Sequence, residues 1–177
     1  MKFRERPASH AFTMLELLVT IAIIALLLTV TVPISGVFKK KAEKVKCMSQ
    51  MRALHTSLTA HLTDKGHWPQ LPDDGRDWTE SGFFRFWVSS LEPYGTSTET
   101  WLCPSDKLYL QMKKSEIEKK DRFFGSYVPT PFDKSPASPL RWNQPWLIER
   151  GDFHGEGGHL LMPDGSITSA RNPFHGR

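Results

Sequence analysis

The sequence predicts an α+β fold in which one long N-terminal helix packs on a small antiparallel sheet. The first observation is an uncharged run at residues 17–38, which continues into apolar residues spaced three or four apart and ends near Thr63. The second is a C-terminal segment in which short apolar runs flank Asp164 and Gly165, as in a β-hairpin. Segments rich in Pro and Gly lie between the two and are typical of loops. We therefore expect one long helix that leads into a small head.

Charge and composition exclude several classes of protein. The 177 residues carry 23 Lys and Arg against 19 Asp and Glu, a net charge of +4. The first eleven residues hold three of the cations and one acid, which leaves 20 cations against 18 acids, a net of +2. That balance argues against a strongly basic surface for nucleic acid. The mean hydropathy of -0.39 excludes a polytopic membrane protein, and two Cys are too few for a disulfide framework.

The uncharged run at residues 17–38 leaves three interpretations. As a helix that rises about 1.5 Å per residue it spans about 33 Å, enough for a hydrocarbon core. A cleaved secretory signal peptide needs a small-residue cleavage site after the run, and none is found near residues 29–36. A plain signal anchor gives no role to Glu16, which lies just before the run. The third interpretation treats the charged tail and the apolar helix as separately processed pieces.

Residues 9–18, SHAFTMLELL, favour the third interpretation. They resemble the prepilin peptidase signature of type IV pilins and type II secretion pseudopilins. The resemblance implies cleavage between Ala11 and Phe12, N-methylation of Phe12, and a role in subunit assembly for Glu16, the fifth mature residue. Pro33 lies where many family members also have Pro, and we expect it to kink the helix because it has no N–H to donate. Ala11 stands where the family usually has Gly.

The resemblance also implies a domain organisation and a location. We expect a leader at 1–11, a transmembrane and assembly helix at 12–38, an amphipathic continuation at 39–64 and an extracytoplasmic head at 65–177. The lysines that follow the apolar run would favour a cytoplasmic C terminus by the positive-inside rule. The resemblance implies the opposite: a single-pass protein of the bacterial inner membrane with a cytoplasmic N terminus and a periplasmic head. The implied partners are a prepilin peptidase that also methylates, other pilin-like subunits, an assembly platform and membrane lipid, with no nucleic acid expected.

The amphipathic continuation predicts which face of the helix packs on the head. Its apolar positions recur every three or four residues: Phe38, Ala42, Val45, Met48, Met51, Leu54 or His55, Leu58 and Leu62. Lys, Glu, Gln and Arg fill much of the opposite side. One face is therefore predicted to be buried and the other to be solvated.

Turn and strand signals predict the elements of the head. Residues 79–94 are expected to hold a short helix, with Thr79 or Ser81 as its cap and Pro93 as its limit. Its core-facing residues are predicted to be Phe83, Phe86 or Trp87, and Leu91. Residues 107–122 are highly charged and indicate an exposed, weakly helical excursion, whereas residues 129–145 carry five Pro and indicate a long loop.

Four strands are predicted after residue 123. Two are single runs, at residues 124–128 and 146–149, and two form a hairpin, at residues 158–163 and 166–168. Between the hairpin strands, Asp164 and Gly165 predict a two-residue type I′ turn, which requires a positive φ at both positions. Three or four of these strands are expected to form the antiparallel sheet.

His154 and, after nine intervening residues, Asp164 and Gly165 form an H-X9-DG pattern. This pattern resembles a C-terminal signature of a bacterial pseudopilin-like group. Further segments resemble that group as well: residues 47–52, 68–69 and 103–106. The resemblance implies no chemical activity, so we expect a structural role for His154, Asp164 and Gly165 near the hairpin.

A metal site is the alternative interpretation of the same segment. Its nitrogen and oxygen donors lie within thirteen residues: Asp152, His154, Glu156, His159 and Asp164. Alternating strand positions would point some of them to opposite faces of the sheet. Because some secretion pseudopilins bind calcium in their heads, the resemblance leaves calcium open as an alternative. The expectation is that the head holds no metal and no cofactor.

The two cysteines leave two possibilities open, a disulfide or two free thiols, either both buried or with one exposed. Cys47 lies on the amphipathic helix, and Cys103 follows Trp101 and Leu102 in a segment predicted to be buried. Both residues also lie in segments that resemble the pseudopilin-like group. A catalytic cysteine is not expected, because the sequence places no base beside either one.

The expected function is that of a structural subunit of a filament assembled at the inner membrane, not that of an enzyme. The filament is a type II secretion pseudopilus in the favoured interpretation, or a type IV pilus. Two alternatives are a membrane-anchored extracytoplasmic binding module or enzyme, and a DNA-uptake pilin. The net charge of +2 outside the first eleven residues does not favour DNA binding.

Overall fold

The structure is a computed structural model, which describes residues 12–73, 79–107, 125–135, 140–155 and 157–170. The chain divides into two units, residues 1–39 and 40–177. The predicted leader at 1–11, and all but the first residue of the charged excursion at 107–122, lie outside the described residues.

Helix α1, Met14–Lys65, is the long N-terminal helix that the sequence predicts. Thr13 and Glu16 begin it with a reciprocal cap: the Thr13 N–H donates to Glu16 Oε2 over 2.9 Å, and the Glu16 N–H donates to Thr13 Oγ1 over 3.2 Å. The helix continues through position 33. The expected kink at Pro33 stays a prediction.

In the second unit, one face of α1 is buried against the head. The buried side chains are Cys47, Met51, Leu54 and Leu58, each fully excluded from solvent. The predicted spacing is therefore confirmed from Met51 onward. It is wrong at its start, since Val45 is exposed. The buried row begins at Cys47, because the apolar core of the head reaches α1 only from that residue onward.

Helix α2, Glu80–Leu91, is the predicted short helix, and Thr79 is its cap. The Thr79 hydroxyl accepts a hydrogen bond from the Gly82 N–H over 3.2 Å. Phe84, Trp87 and Leu91 are the buried apolar residues of α2. The core-facing prediction was wrong for Phe83, which is only half-buried, because α2 turns Phe84 inward instead.

The sheet has four strands: β1 Tyr127–Pro129, β2 Leu147–Glu149, β3 Gly158–Leu161 and β4 Ile167–Ala170. They follow the order β1-β2-β3-β4, and each neighbouring pair is antiparallel. A four-residue helix, α3 Leu140–Asn143, lies between β1 and β2. The predicted α+β fold, a long helix with a small antiparallel sheet in a pilin-like arrangement, is confirmed.

The loop of the β3–β4 hairpin differs from the predicted turn. The Met162 N–H donates to the Ser166 carbonyl, and the Gly165 N–H donates to the Met162 carbonyl, each over 2.9 Å. The loop is thus three residues long, and only Gly165 has a positive φ, of 79°. Pro163 is the physical reason, because a two-residue turn would need a backbone N–H at that position and Pro has none.

Tryptophan side chains form the centre of the head. The ring of Trp68 meets those of Trp87, Phe132 and Trp146 edge to face, at centroid distances of 5.0–5.9 Å. The indole N–H of Trp68 donates to the Thr130 carbonyl over 3.1 Å. This cluster joins the segment after α1 to α2 and to the sheet.

Candidate functional site

The N-terminal motif enters the described residues at Phe12. Ala11, on the other side of the predicted cleavage bond, lies outside them. The Phe12 side chain is 77% exposed. One turn later, Glu16 Oε2 accepts hydrogen bonds from both the N–H and the hydroxyl of Thr13, each over 2.9 Å. Glu16 therefore has a role that the sequence reasoning missed: its carboxylate caps its own helix, where a negative charge is favourable.

The apolar residues between Met14 and Leu28 are exposed on every side of α1. These residues are Met14, Leu15, Leu17, Leu18, Val19, Ile21, Ile23, Ile24, Leu26, Leu27 and Leu28. A helix that is apolar on every side is normally covered by lipid or by other protein. Within the described ranges of the chain, no helix combines the length and the apolar character needed to cross a membrane.

A disulfide joins α1 to the segment around residue 101. It links Cys47 to Cys103, and both residues are fully buried. The Gln50 side-chain amide holds the same segment, because it donates to the carbonyls of Glu99 and Leu102, each over 3.0 Å. A cross-link over 56 residues is expected to stabilise the head by about 4 kcal/mol through the lost loop entropy of the unfolded chain.

His154 of the H-X9-DG pattern lies beside this disulfide. Its Nε2 atom is 3.6 Å from Cys103 Sγ and 3.5 Å from Glu149 Oε1. The other oxygen, Glu149 Oε2, accepts a hydrogen bond from the His159 N–H over 3.0 Å and lies 2.6 Å from His159 Nδ1. Burial lowers the pKa of His154 below its usual value, and this favours the neutral imidazole.

Asp164 and Gly165 lie in the hairpin loop and contact α1 through it. Hydrogen bonds from Ser166 to its carboxylate lower the pKa of Asp164. The neighbouring Pro163 carbonyl lies 2.8 Å from His55 Nε2 of α1. A Cβ atom on Gly165 would lie 3.3 Å from the His55 ring, so both its positive φ and this approach favour glycine.

The two halves of the pattern therefore act at different places on the same helix. His154 contacts Cys103, whose disulfide partner Cys47 lies on α1, and the Asp-Gly loop contacts His55. Sequence reasoning named His55 only as an alternative to Leu54 in the apolar face. The stacking of His55 on Trp146, with centroids 4.9 Å apart, explains why an imidazole is accommodated there.

Few of the residues predicted as an alternative metal site lie together. Asp152 accepts a hydrogen bond from the Gly155 N–H, Asp164 is occupied in the hairpin loop, and Glu156 lies outside the described residues. Among the side chains that the structure describes, one group brings potential metal ligands close together. It consists of Cys47, Cys103, Glu149 and His154. Sequence reasoning missed this group because it considered each cysteine only with the other.

Comparison with known proteins adds evidence for the N terminus. Residues 6–32 match the family described as the prokaryotic N-terminal methylation motif. The match indicates a type IV pilin-like substrate of prepilin peptidase. It includes Phe12 and Glu16, implies assembly with other pilin-like subunits, and indicates a membrane-anchored N terminus. The head lies outside the matched residues, and no curated protein and no solved structure matches the chain significantly.

Proposed function

We propose that this chain is a pseudopilin, a structural subunit of the filament that drives type II protein secretion across the envelope. The observation that carries the proposal is the N terminus: an exposed Phe12, a carboxylate held one turn later at Glu16, and a helix whose apolar side chains are exposed on every side. A cleaved, methylated and polymerised subunit uses each of these features.

Processing is the first step of the proposed function. Prepilin peptidase cuts between Ala11 and Phe12 on the cytoplasmic side of the inner membrane and methylates the new amine. The apolar segment at 12–38 anchors the subunit in the membrane and stores it there, with the head in the periplasm. Extraction into the filament is favourable when the helices of neighbouring subunits replace the lipid around these side chains.

Glu16 is the residue to which we assign docking between subunits. A carboxylate in an apolar environment requires a partner, and the methylated amine of a neighbour's Phe12 remains cationic. Glu16 Oε2 accepts both bonds from Thr13, so we assign the incoming amine to Oε1. The Thr13 cap orients the carboxylate in advance and reduces the entropy that docking costs.

The head is proposed to be a structural and partner-binding element, not an enzyme. Its most chemically capable residues are enclosed: the side chains of His154 and His159 are 3% and 2% exposed, and that of Glu149 is fully buried. These side chains contact one another and the disulfide rather than a cleft that a substrate enters. Their arrangement supports a role in holding His154 and the loop residues before it on the sheet.

The test combines a processing measurement with a secretion measurement. Mass spectrometry of the membrane-extracted chain is expected to show a peptide that begins with methyl-Phe12. A strain without the chain is expected to retain type II secretion substrates in the periplasm while its type IV pili remain intact. An intact Met1 peptide as the dominant species would contradict the processing step. Loss of surface pili with normal secretion would assign the subunit to a type IV pilus instead.

A further inference from the structure

Four buried side chains place two sulfurs, one imidazole nitrogen and one carboxylate oxygen in the same small volume of the head. They come from three parts of the fold: Cys47 on α1, Cys103 before β1, and Glu149 with His154 at the end of β2 and the loop after it. Their ligand atoms all lie within 4.8 Å of one another. We propose that the head binds one Zn²⁺ through these four side chains when Cys47 and Cys103 are reduced.

The distances fit a tetrahedral zinc site. With bonds of about 2.0–2.3 Å, neighbouring ligand atoms of a tetrahedral zinc lie about 3.3–3.8 Å apart. His154 Nε2 is 3.6 Å from Cys103 Sγ and 3.5 Å from Glu149 Oε1, so two edges of the tetrahedron already have this length. Reduction of the disulfide removes the bond between the sulfurs and lets them move to about 3.7 Å, the separation expected for two thiolates on one zinc.

The carboxylate supplies a second, independent observation. The side chain of Glu149 is fully buried. Within the described part of the chain, its Oε1 atom accepts no hydrogen bond. An unsatisfied carboxylate oxygen in the interior is costly, and a bound cation removes that cost. The other oxygen is fixed by His159, in the manner of the outer-shell partners that orient metal ligands.

The donor set selects the metal. Two thiolates with an imidazole favour zinc over calcium and magnesium, which prefer sites built of oxygen. Four protein ligands fill the tetrahedron and leave no position for water or substrate, so the site is structural and not catalytic. Zinc would hold α1 to the Cys103 segment in the reduced chain, as the disulfide does in the oxidised chain.

The zinc form and the disulfide form exclude each other, because a disulfide sulfur is not a thiolate. Zinc binding releases the two thiol protons. Oxidation by a disulfide reagent forms the Cys47–Cys103 bond and breaks the S–S bond of the reagent, whose two sulfurs leave as thiolates with the two electrons. Zn²⁺ is then released unchanged. We therefore place zinc in the head before its oxidation.

The experiment uses the full chain in detergent, reduced with a phosphine. The phosphine takes an oxygen atom from water to become phosphine oxide, and the disulfide takes up the two electrons of the phosphine and the two protons of that water. Co²⁺ is the spectroscopic probe. One Co²⁺ per chain is expected to give a thiolate-to-cobalt charge-transfer band and the visible bands of tetrahedral cobalt, and Zn²⁺ is expected to displace it. The oxidised chain is expected to give neither band. A reduced wild-type chain without these bands would overturn the proposal.

Two variants then test the nitrogen and oxygen ligands. His154→Asn and Glu149→Gln are each expected to weaken zinc binding at least about 100-fold, since losing even an outer-shell partner costs 10–100-fold. His67→Asn is the matched control, because His67 lies outside the group and bonds to the carbonyl of its neighbour Trp68. Equal zinc affinity in the wild type and the three variants would mean that the cysteines bind zinc without His154 and Glu149. That result would overturn the four-ligand site.

A measurement on the wild type covers the case in which a variant fails to fold. X-ray absorption at the zinc edge of the reduced, zinc-loaded chain is expected to show two sulfur and two nitrogen or oxygen neighbours. A shell of sulfur alone, or of nitrogen and oxygen alone, would contradict the proposed ligands.

Discussion

Helix α1 contains two regions with the same backbone and opposite surfaces. Near its start, residues such as Leu18 and Leu28 are exposed, and apolar side chains occupy every side. Further along, Leu54 and Leu58 are fully buried, while charged residues cover the opposite side. The comparison teaches that secondary structure alone does not decide what a helix does. A uniformly apolar segment needs lipid or neighbouring subunits, whereas a one-sided apolar segment needs only its own head.

The largest expected effect comes from changing the one acidic side chain at the start of the first region. Glu16→Val makes that segment more apolar, so the chain is expected to enter the membrane and to be cleaved. It is expected to fail to enter filaments when it is the sole copy, because a neighbour's amine finds no carboxylate. Crosslinking of assembled subunits measures this.

Glu92→Gln is the control for this prediction, since it removes an exposed acid from the head. Incorporation of Glu16→Val at the wild-type level would remove Glu16 from the mechanism. Helix packing would then be the sole driving force for assembly.

The second effect concerns the link between α1 and the head. Replacing Cys47 and Cys103 together by Ala is expected to lower the free energy of unfolding by about 4 kcal/mol, from the loop entropy that the cross-link removes. Urea unfolding followed by Trp fluorescence reports on the head, because all six Trp lie beyond residue 64. An oxidised wild type no more stable than the variant would show that the bridge contributes nothing. Processing at Phe12 is expected to remain normal in the variant.

Two Leu→Ala substitutions, one in each region of α1, test the difference between these regions directly. Leu58→Ala removes a buried side chain and is expected to destabilise the head by about 2–5 kcal/mol. Leu28→Ala, at a side chain that is 55% exposed, is expected to leave the unfolding curve of the head unchanged. The same urea titration measures both variants. A similar loss in both would mean that the two regions of α1 do not differ in the way described.

The smallest effect lies in the hairpin loop. Gly165→Ala places a Cβ at a φ of 79° and 3.3 Å from the His55 ring, and a loss of about 1–2 kcal/mol is expected from the backbone alone. Gly66→Ala is the matched control, since Gly66 has a φ of 72° and open space around it. Urea unfolding is expected to show a larger loss for Gly165→Ala. Equal losses would mean that the approach to His55 is unimportant.

Local patterns in the sequence were sufficient to predict the elements of the fold. The apolar spacing after residue 50 predicted the buried face of α1, the cap candidates Thr79 and Ser81 located the start of α2, and the Asp-Gly pair located the hairpin. The N-terminal signature predicted a prepilin-type protein, and the match at residues 6–32 supports that part. These predictions succeed because each depends on residues within a few positions of one another.

Only the tertiary structure decided which residues meet. Cys47, Cys103 and Glu149 lie far apart in the sequence, and their side chains come together because α1, the Cys103 segment and β2 pack around one core. Local patterns could not show that the Pro163 carbonyl meets His55. The missing N–H of Pro163, which changes the predicted turn, is a local signal that the sequence reasoning overlooked. The sequence by itself determined the helix, the strands and the processing motif, since backbone preference and apolar period are local properties. Packing determined the buried Cys-Glu-His group, because long-range contacts depend on how the elements fit together.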